Sequence, residues 1–254
     1  WLLASSSIFD RFERLSCLTL AALKGMSLGG GLAMALVCDY RIAEVNAVVA
    51  LPDVKLGLMP GFGCTVRLPR LVGADTALEW MTTGANKRAS KALSDGALDA
   101  VVAADNLVIA AKGMLHDAIA GKFDWRARKT EKLRPLKLGT NETIMSFNTA
   151  KGMVYAKAGK HYPAPNLMVS TIEKEAGLDR TGAMALENQG FLTLAKTEAA
   201  SAQNGRFLAD QVVKRGGKKM AKKTTKGVKL NADSGAGSMG GGIANKGEVE
   251  GSGS

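Results

Sequence analysis

The sequence predicts an α/β fold with a helical extension. Three observations carry this. Compact apolar runs of strand length alternate with helix-period stretches over the first 120 or so residues. From Asn141 onward the strand-like runs stop and helical spacing takes over. Beyond Leu230 the chain turns Gly/Ser-rich, with 8 glycines in its last 24 residues, a composition expected to stay disordered.

In order, Ile8, Phe9, Phe12 and Leu15 recur at helical spacing, and Leu18 to Leu23 is an apolar run of strand length. Lys24 to Gly31 reads as a turn ending in three glycines. Leu32 to Val37 is apolar without alternation and suits a buried helix. Tyr40 to Ala43 and Ala47 to Leu51 read as strands, and Gly57 to Cys64 as a Gly/Pro loop. Arg67 to Gly84 is predicted as one helix, with Leu71, Ala74, Leu78 and Met81 on one face. Ala89 to Leu93 and Asn106 to Ile119 follow as helices around a short strand, Ala100 to Val102. Phe123 to Leu138 is basic, contains Pro135 and reads as a linker. Helices are predicted over Ile144 to Val154, Asn166 to Ala176 and Thr181 to Gln203, broken at KHYPAP (160–165) by its two prolines.

Composition narrows the function classes. The 254 residues allow one or two domains at roughly 150 residues each, and 46% hydrophobic content is enough for a core. The uncharged stretch Gly25 to Cys38 is 14 residues long, short of the roughly 18 that a membrane helix needs, so no transmembrane segment is expected. No secretory signal opens the chain, and its start at Trp1 reads as that of a fragment. Cys17, Cys38 and Cys64 form no CxxC and sit among apolar residues, so buried, reduced thiols of a cytoplasmic protein are expected. With two histidines and no cysteine pairing, no metal site is expected. Of the net charge of +11, eight cations lie between Gln211 and Lys229, leaving +3 for the rest. That run contains no aromatic residue, so a solvated linker or surface helix is expected and no nucleic-acid partner.

Three clusters could carry chemistry. Gly29-Gly30-Gly31 opens a helix, where free amides and the dipole can hold an oxyanion, although a plain tight turn uses the same glycines. Asp53 ends an apolar strand beside a glycine loop, well placed for acid–base work or for an ordinary helix cap. Gly235-Ala236-Gly237-Ser238-Met239-Gly240 is a GxGxxG, but the LNADS before it is a poor buried strand and the chain ends 14 residues after Gly240. His161 and Asp39 read as structural positions.

Joined in order, KGMSLGGGLAMALVCDYRIA and LPDVKLGLMPGFGCTVRLPRLVGAD resemble the crotonase (enoyl-CoA hydratase/isomerase) superfamily. DWRARKTEKLRPLKLG, TIMSFNTAKGMVYAKAGKHYPAP and LENQGF resemble the hydratase half of bacterial multifunctional fatty-acid β-oxidation α subunits. The closing GAGSMGGGIA resembles the start of their NAD-dependent 3-hydroxyacyl-CoA dehydrogenase part. The resemblance implies a partial crotonase-type spiral of β-β-α units over 1–122. A helical, trimerisation- or linker-type region over 123–210 follows, then a basic linker over 211–234, the remnant of a dinucleotide motif over 235–244 and a flexible tail over 245–254.

It further implies an acyl-CoA thioester substrate, self-association, and a thiolase β subunit as partner. The amide of Gly30 becomes one of two oxyanion donors, the other lying before Trp1. Gly61 becomes the amide that holds a water. The family's two catalytic glutamates fall at Ala33, where the acid is lost, and at Asp53, one methylene shorter. Hydration is therefore expected to be impaired, with isomerisation of 3-enoyl-CoA through Asp53 as the surviving chemistry. No cofactor is expected for this part. NAD belongs to the dehydrogenase, of which Gly235, Gly237 and Gly240 are a remnant.

Overall fold

A computed structural model describes residues 2–158 and 162–223, with side chains described for 4–158 and 162–214. His161, the glycines at 235, 237 and 240, and the tail lie outside the described residues. The chain divides into two units, Trp1–Gly205 and Arg206–Ser254.

In the first unit α1 (Leu2–Glu13) leads into β1 (Leu20–Leu23), β2 (Met26–Leu28) and α2 (Gly30–Val37). The next turn repeats that order with β3 (Tyr40–Glu44), β4 (Val48–Ala50), a 3-10 turn over Pro52–Leu56, α3 (Cys64–Val72) and α4 (Ala74–Thr83). β5 (Lys87–Arg88), α5 (Ala89–Ser94), β6 (Ala100–Val102) and α6 (Leu107–Ile119) complete it. Each of the first two turns gives one strand to each of two sheets. One sheet runs β1-β3-β6, all parallel; the other runs β2-β4-β5, with β2 and β4 parallel and β5 antiparallel. Short parallel strands in two sheets, joined by helices, are the α/β order expected from the alternation. β3 lies between β1 and β6, and every one of its residues is buried, as a parallel strand covered on both faces requires.

Over residues 1–138 four expectations are corrected. The supposed turn Lys24 to Gly31 contains β2, whose three residues gain their partners from β4. The helix expected over Arg67 to Gly84 is two helices, because Gly73 at φ +84° breaks it, and α3 starts earlier, inside the expected loop. The basic stretch from Phe123 contains α7 (Trp125–Glu131), capped by Asp124 through the Ala127 amide at 2.9 Å. Its lysines reach back to the body: Lys129 donates to the Leu15 and Cys17 carbonyls, and Lys132 to those of Val37 and Cys38. Finally, Cys38 and Cys64 are buried but Cys17 is exposed.

Four helices follow: α8 (Thr140–Ala158), α9 (Pro163–Ala176), α10 (Arg180–Ala195) and α11 (Glu198–Lys223). The helix expected over Thr181 to Gln203 is thus split between α10 and α11. The prolines of KHYPAP begin α9, where the first-turn amides need no helical partner. Phe147, Met168, Val169, Ile172 and Leu194 join these helices to the main core. In the second unit the described chain continues as α11 through Lys223, so the first part of the basic run is helical. There Phe207, Leu208, Val212 and Val213 are exposed. Among the described residues no helix is long and apolar enough to cross a membrane.

Candidate functional site

Parallel pairing sets the site. With Leu28 opposite Ala50, β2 and β4 end side by side, so the segments that follow them leave from the same edge. One segment is the glycine turn into α2, and the other is Leu51-Pro52-Asp53. The Gly29 amide donates to the Ala50 carbonyl at 2.9 Å, extending the ladder by one residue. Gly29 adopts φ +51°, a conformation that favours glycine, and a Cβ there would lie 4.0 Å from Asp53 Oδ2. The structure therefore brings the turn and the acid together.

Gly30 and Gly31 open α2, so their amides have no helical carbonyl four residues back and point outward at the positive end of the helix. A Cβ on Gly30 would meet nothing within 4 Å, so the space beside it is open. Asp53 follows Pro52 in the 3-10 turn, and its carbonyl accepts from the Leu58 amide at 3.1 Å. Its Oδ2 is buried and has no hydrogen-bond partner among the described residues. Burial pushes the Asp53 carboxyl above its usual range, and a bond to its own backbone offsets only part of that. An acid held this way favours taking and returning a proton over permanent ionisation.

Ala33 lies one turn into α2, and its amide bonds the Gly29 carbonyl at 2.9 Å. Its methyl is buried in the core and offers no proton chemistry. Gly61 is buried in the loop before α3, where its carbonyl accepts from the Cys64 amide at 3.2 Å. The Cys64 thiol is pushed well up by burial and then by the charges of Glu187 and Asp53, which puts Asp53 and the start of α3 in one electrostatic neighbourhood. Beside Gly61, Phe62 sits at φ +58°, unusual for a residue with a side chain. Its ring stacks on Phe9 at 4.9 Å, and its carbonyl accepts from Arg67.

Asp39, also singled out in the sequence, is structural. Asp39 Oδ2 accepts from the Thr19 amide and hydroxyl, both at 2.9 Å, and pairs with Lys129. Sequence reasoning missed Tyr162 and Glu187, which reach the Asp53–Gly63 segment from 105 and 124 residues away in sequence. Tyr162 accepts from the Gly57 amide at 3.0 Å and donates to the Val54 carbonyl. Glu187 accepts from the Gly63 amide at 2.6 Å and the Thr65 amide at 3.0 Å. Both lie in quoted segments, KHYPAP and LENQGF, but nothing local signals what they touch. The arrangement offers a buried carboxyl of raised proton affinity beside main-chain donors at a helix start. That combination can move a proton next to a carbonyl whose oxygen gains charge.

Comparison with known proteins is consistent with that chemistry. The family model described as enoyl-CoA hydratase/isomerase matches residues 4–134. The fatty acid oxidation complex subunit alpha of Colwellia psychrerythraea is 57% identical over 244 residues, covering 96% of this chain and 34% of that protein. Its counterpart from Idiomarina loihiensis is 51% identical over 251 residues, covering 99% of this chain and 35% of that protein. The chain thus spans about a third of the length of the curated relatives it matches. An enoyl-CoA hydratase structure from Mycobacterium avium subsp. paratuberculosis shares the fold, with a TM-score of 0.53 at 21% identity, covering 82% of this chain and 70% of that one.

Proposed function

From the premise that this chain belongs to the enoyl-CoA hydratase/isomerase family, we propose that it acts on acyl-CoA thioesters as the hydratase/isomerase part of a fatty-acid oxidation α subunit. Isomerisation through Asp53 is the surviving chemistry and hydration is impaired. The observation that carries this is the buried, unpartnered Asp53 Oδ2 beside the Gly29–Gly30 turn. The Gly30 amide donates to the thioester oxygen. Asp53 takes a proton from C2 of a 3-enoyl-CoA, and the C–H electron pair moves toward the thioester, where that oxygen carries the charge. Asp53 then returns the proton to C4, leaving the double bond between C2 and C3. One carboxyl suffices for this exchange. Hydration needs a second acid–base group to share the water, and Ala33 supplies none.

The test is isomerisation of cis-3-enoyl-CoA in a preparation restored to full domain length. Asp53→Asn should lower the rate by about 10²–10⁴-fold. A parent rate no better than that of Asp53→Asn ends the proposal. Ala33 favours a second reading, a non-catalytic acyl-CoA-binding or assembly module. Ala33→Glu combined with Asp53→Glu separates the two. Large rescue of hydration speaks for a scaffold built for catalysis; no rescue with acyl-CoA binding kept speaks for the module. A thiolase β subunit as partner, self-association, a cytoplasmic location and NAD use by a dehydrogenase part belong to the same proposal.

A further inference from the structure

The segment Pro52–Gly63 carries both Asp53 and Gly61, and its backbone bonds from Gly57 to Val54 and from Leu58 to Asp53, both 3.1 Å, tie only its first turn. Its 3-10 turn has no side-chain cap, and the residue before α3, Gly63, has no side chain to cap it. Gly57 and Gly63 both adopt positive φ, at +74° and +79°, and Phe62 sits at +58°. Such a stretch stays in one geometry only when its surroundings over-determine it. Two side chains from the helical C-terminal region do so, one at each end.

Tyr162, at the start of α9, places its hydroxyl at the exit of the 3-10 turn. It accepts from the Gly57 amide at 3.0 Å and donates to the Val54 carbonyl, one residue past Asp53. Glu187, on α10, supplies the missing cap of α3. One oxygen accepts from the Gly63 amide at 2.6 Å, and the other accepts from the Thr65 amide at 3.0 Å and the Thr65 hydroxyl at 2.8 Å. Behind it, a Glu175 oxygen on α9 lies 3.3 Å from the Thr65 hydroxyl. A Cβ at Gly63 would come within 2.0 Å of Arg67 Nη1 on a left-handed backbone, so a capping side chain there would have to displace Arg67.

We infer that Tyr162 and Glu187 are positioning residues, the helical region clamping both ends of the Asp53–Gly61 segment so that the acid and the water-holding amide keep their place. This rests on the proposed isomerase reading for its consequence in turnover, but the clamp itself can be read without turnover. The magnitudes separate it from a merely structural role. Deleting one hydroxyl removes hydrogen bonds that stabilise a fold only modestly, whereas a displacement of about 1 Å at a reacting group costs on the order of 100-fold in rate. Turnover should therefore fall far out of proportion to stability.

The test compares Tyr162→Phe, Glu187→Gln and, as a control, Tyr155→Phe, whose ring is exposed on α8. All are made in the same domain-length preparation. Backbone amide exchange is followed by mass spectrometry, alongside kcat and KM for cis-3-enoyl-CoA. Tyr162→Phe should speed exchange at Gly57 and Leu58, and Glu187→Gln at Gly63 and Thr65, with α2 and β3 unchanged. Both should lower kcat by about 10–100-fold at unchanged KM. Tyr155→Phe should change neither. In the double variant the kcat losses should not multiply, because both act on one segment. Unchanged local exchange in both variants overturns the inference, as does a kcat loss matched by a KM change with exchange faster everywhere. If the parent protein shows no turnover, faster exchange confined to these sites still upholds the clamp, and only the isomerase reading fails.

Discussion

Glu13 pairs with three cations at once, and replacing it by Gln should be among the costliest single changes in the molecule. Its Oε2 pairs with Arg67 Nε at 2.8 Å and with Arg180; its Oε1 pairs with Lys132 Nζ at 3.1 Å. Arg180 also reaches Asp10 at 2.9 Å, but among the described residues Arg67 and Lys132 make no second ion pair. Burial pushes the Glu13 carboxyl up, yet Arg67, Lys132 and Arg180 together outweigh it and hold the group below its usual range. Glu13→Gln leaves two buried arginines and the partly buried Lys132 facing a neutral amide. Removing one partner from such a cluster costs about 3–5 kcal/mol, a large share of the roughly 5–15 kcal/mol that holds a domain together. The expected fall in Tm is roughly 6–20 °C.

Urea unfolding at pH 7 measures the loss, with Glu131→Gln, at an exposed pair with Lys137, as a control that should change nothing measurable. A second arm uses Lys132, which burial pulls down to about 8 against the attraction of Glu13. Between pH 8 and the ordinary lysine range the unfolded chain binds the extra proton and the folded one does not. Stability from this group therefore rises with pH there. Without Glu13 the rise should begin at lower pH and be larger in total, and Lys132→Met in the same background should abolish the difference. A loss below about 1 kcal/mol, or a slope insensitive to Lys132→Met, would refute the reasoning.

Gly57→Ala should cost about 2–5 kcal/mol in urea unfolding. The left-handed backbone contributes about 1–2 kcal/mol and overpacking about 1–3, because the new Cβ would lie 2.8 Å from Ala200 Cα, backbone that cannot rotate away. Gly121→Ala, with similar φ but open space, should show only the first part, and equal losses at the two sites would contradict this account. Asp53→Asn should behave oppositely to Glu13→Gln. Because burial raises the Asp53 carboxyl, its contribution is present at low pH and lost as pH rises through the ordinary carboxylate range and beyond. The Asn variant should therefore lose less Tm between pH 4 and pH 8 than the parent, and a steeper loss would show that the carboxyl is not held in a poorly solvated place.

The glycine turn, the buried helix after it and the acid at the end of a strand are legible because each rests on a local rule. Three glycines free the backbone, a run of apolar residues without alternation wants to be buried, and a proline starts a turn. β2 was not legible, since Met26-Ser27-Leu28 is too short to show a period and its partner strand lies 22 residues away. The break at Gly73 escaped because the apolar face continues across it, and only the φ of +84° separates α3 from α4. The linker reading of 123–138 followed its charge, but Lys129 and Lys132 spend that charge on carbonyls of the body.

By itself the chain determined which residues could do chemistry: Gly30 and Asp53 are present, and an acid at Ala33 is not. Tertiary structure alone decided that they share one edge. The register of two short parallel strands sets Gly29 beside Asp53, and a tyrosine and a glutamate more than 100 residues away in sequence fix the segment that carries the acid. Chemistry is a property of side-chain type and survives in one dimension. Positioning depends on contacts between distant parts of the chain, and these exist only once it has folded.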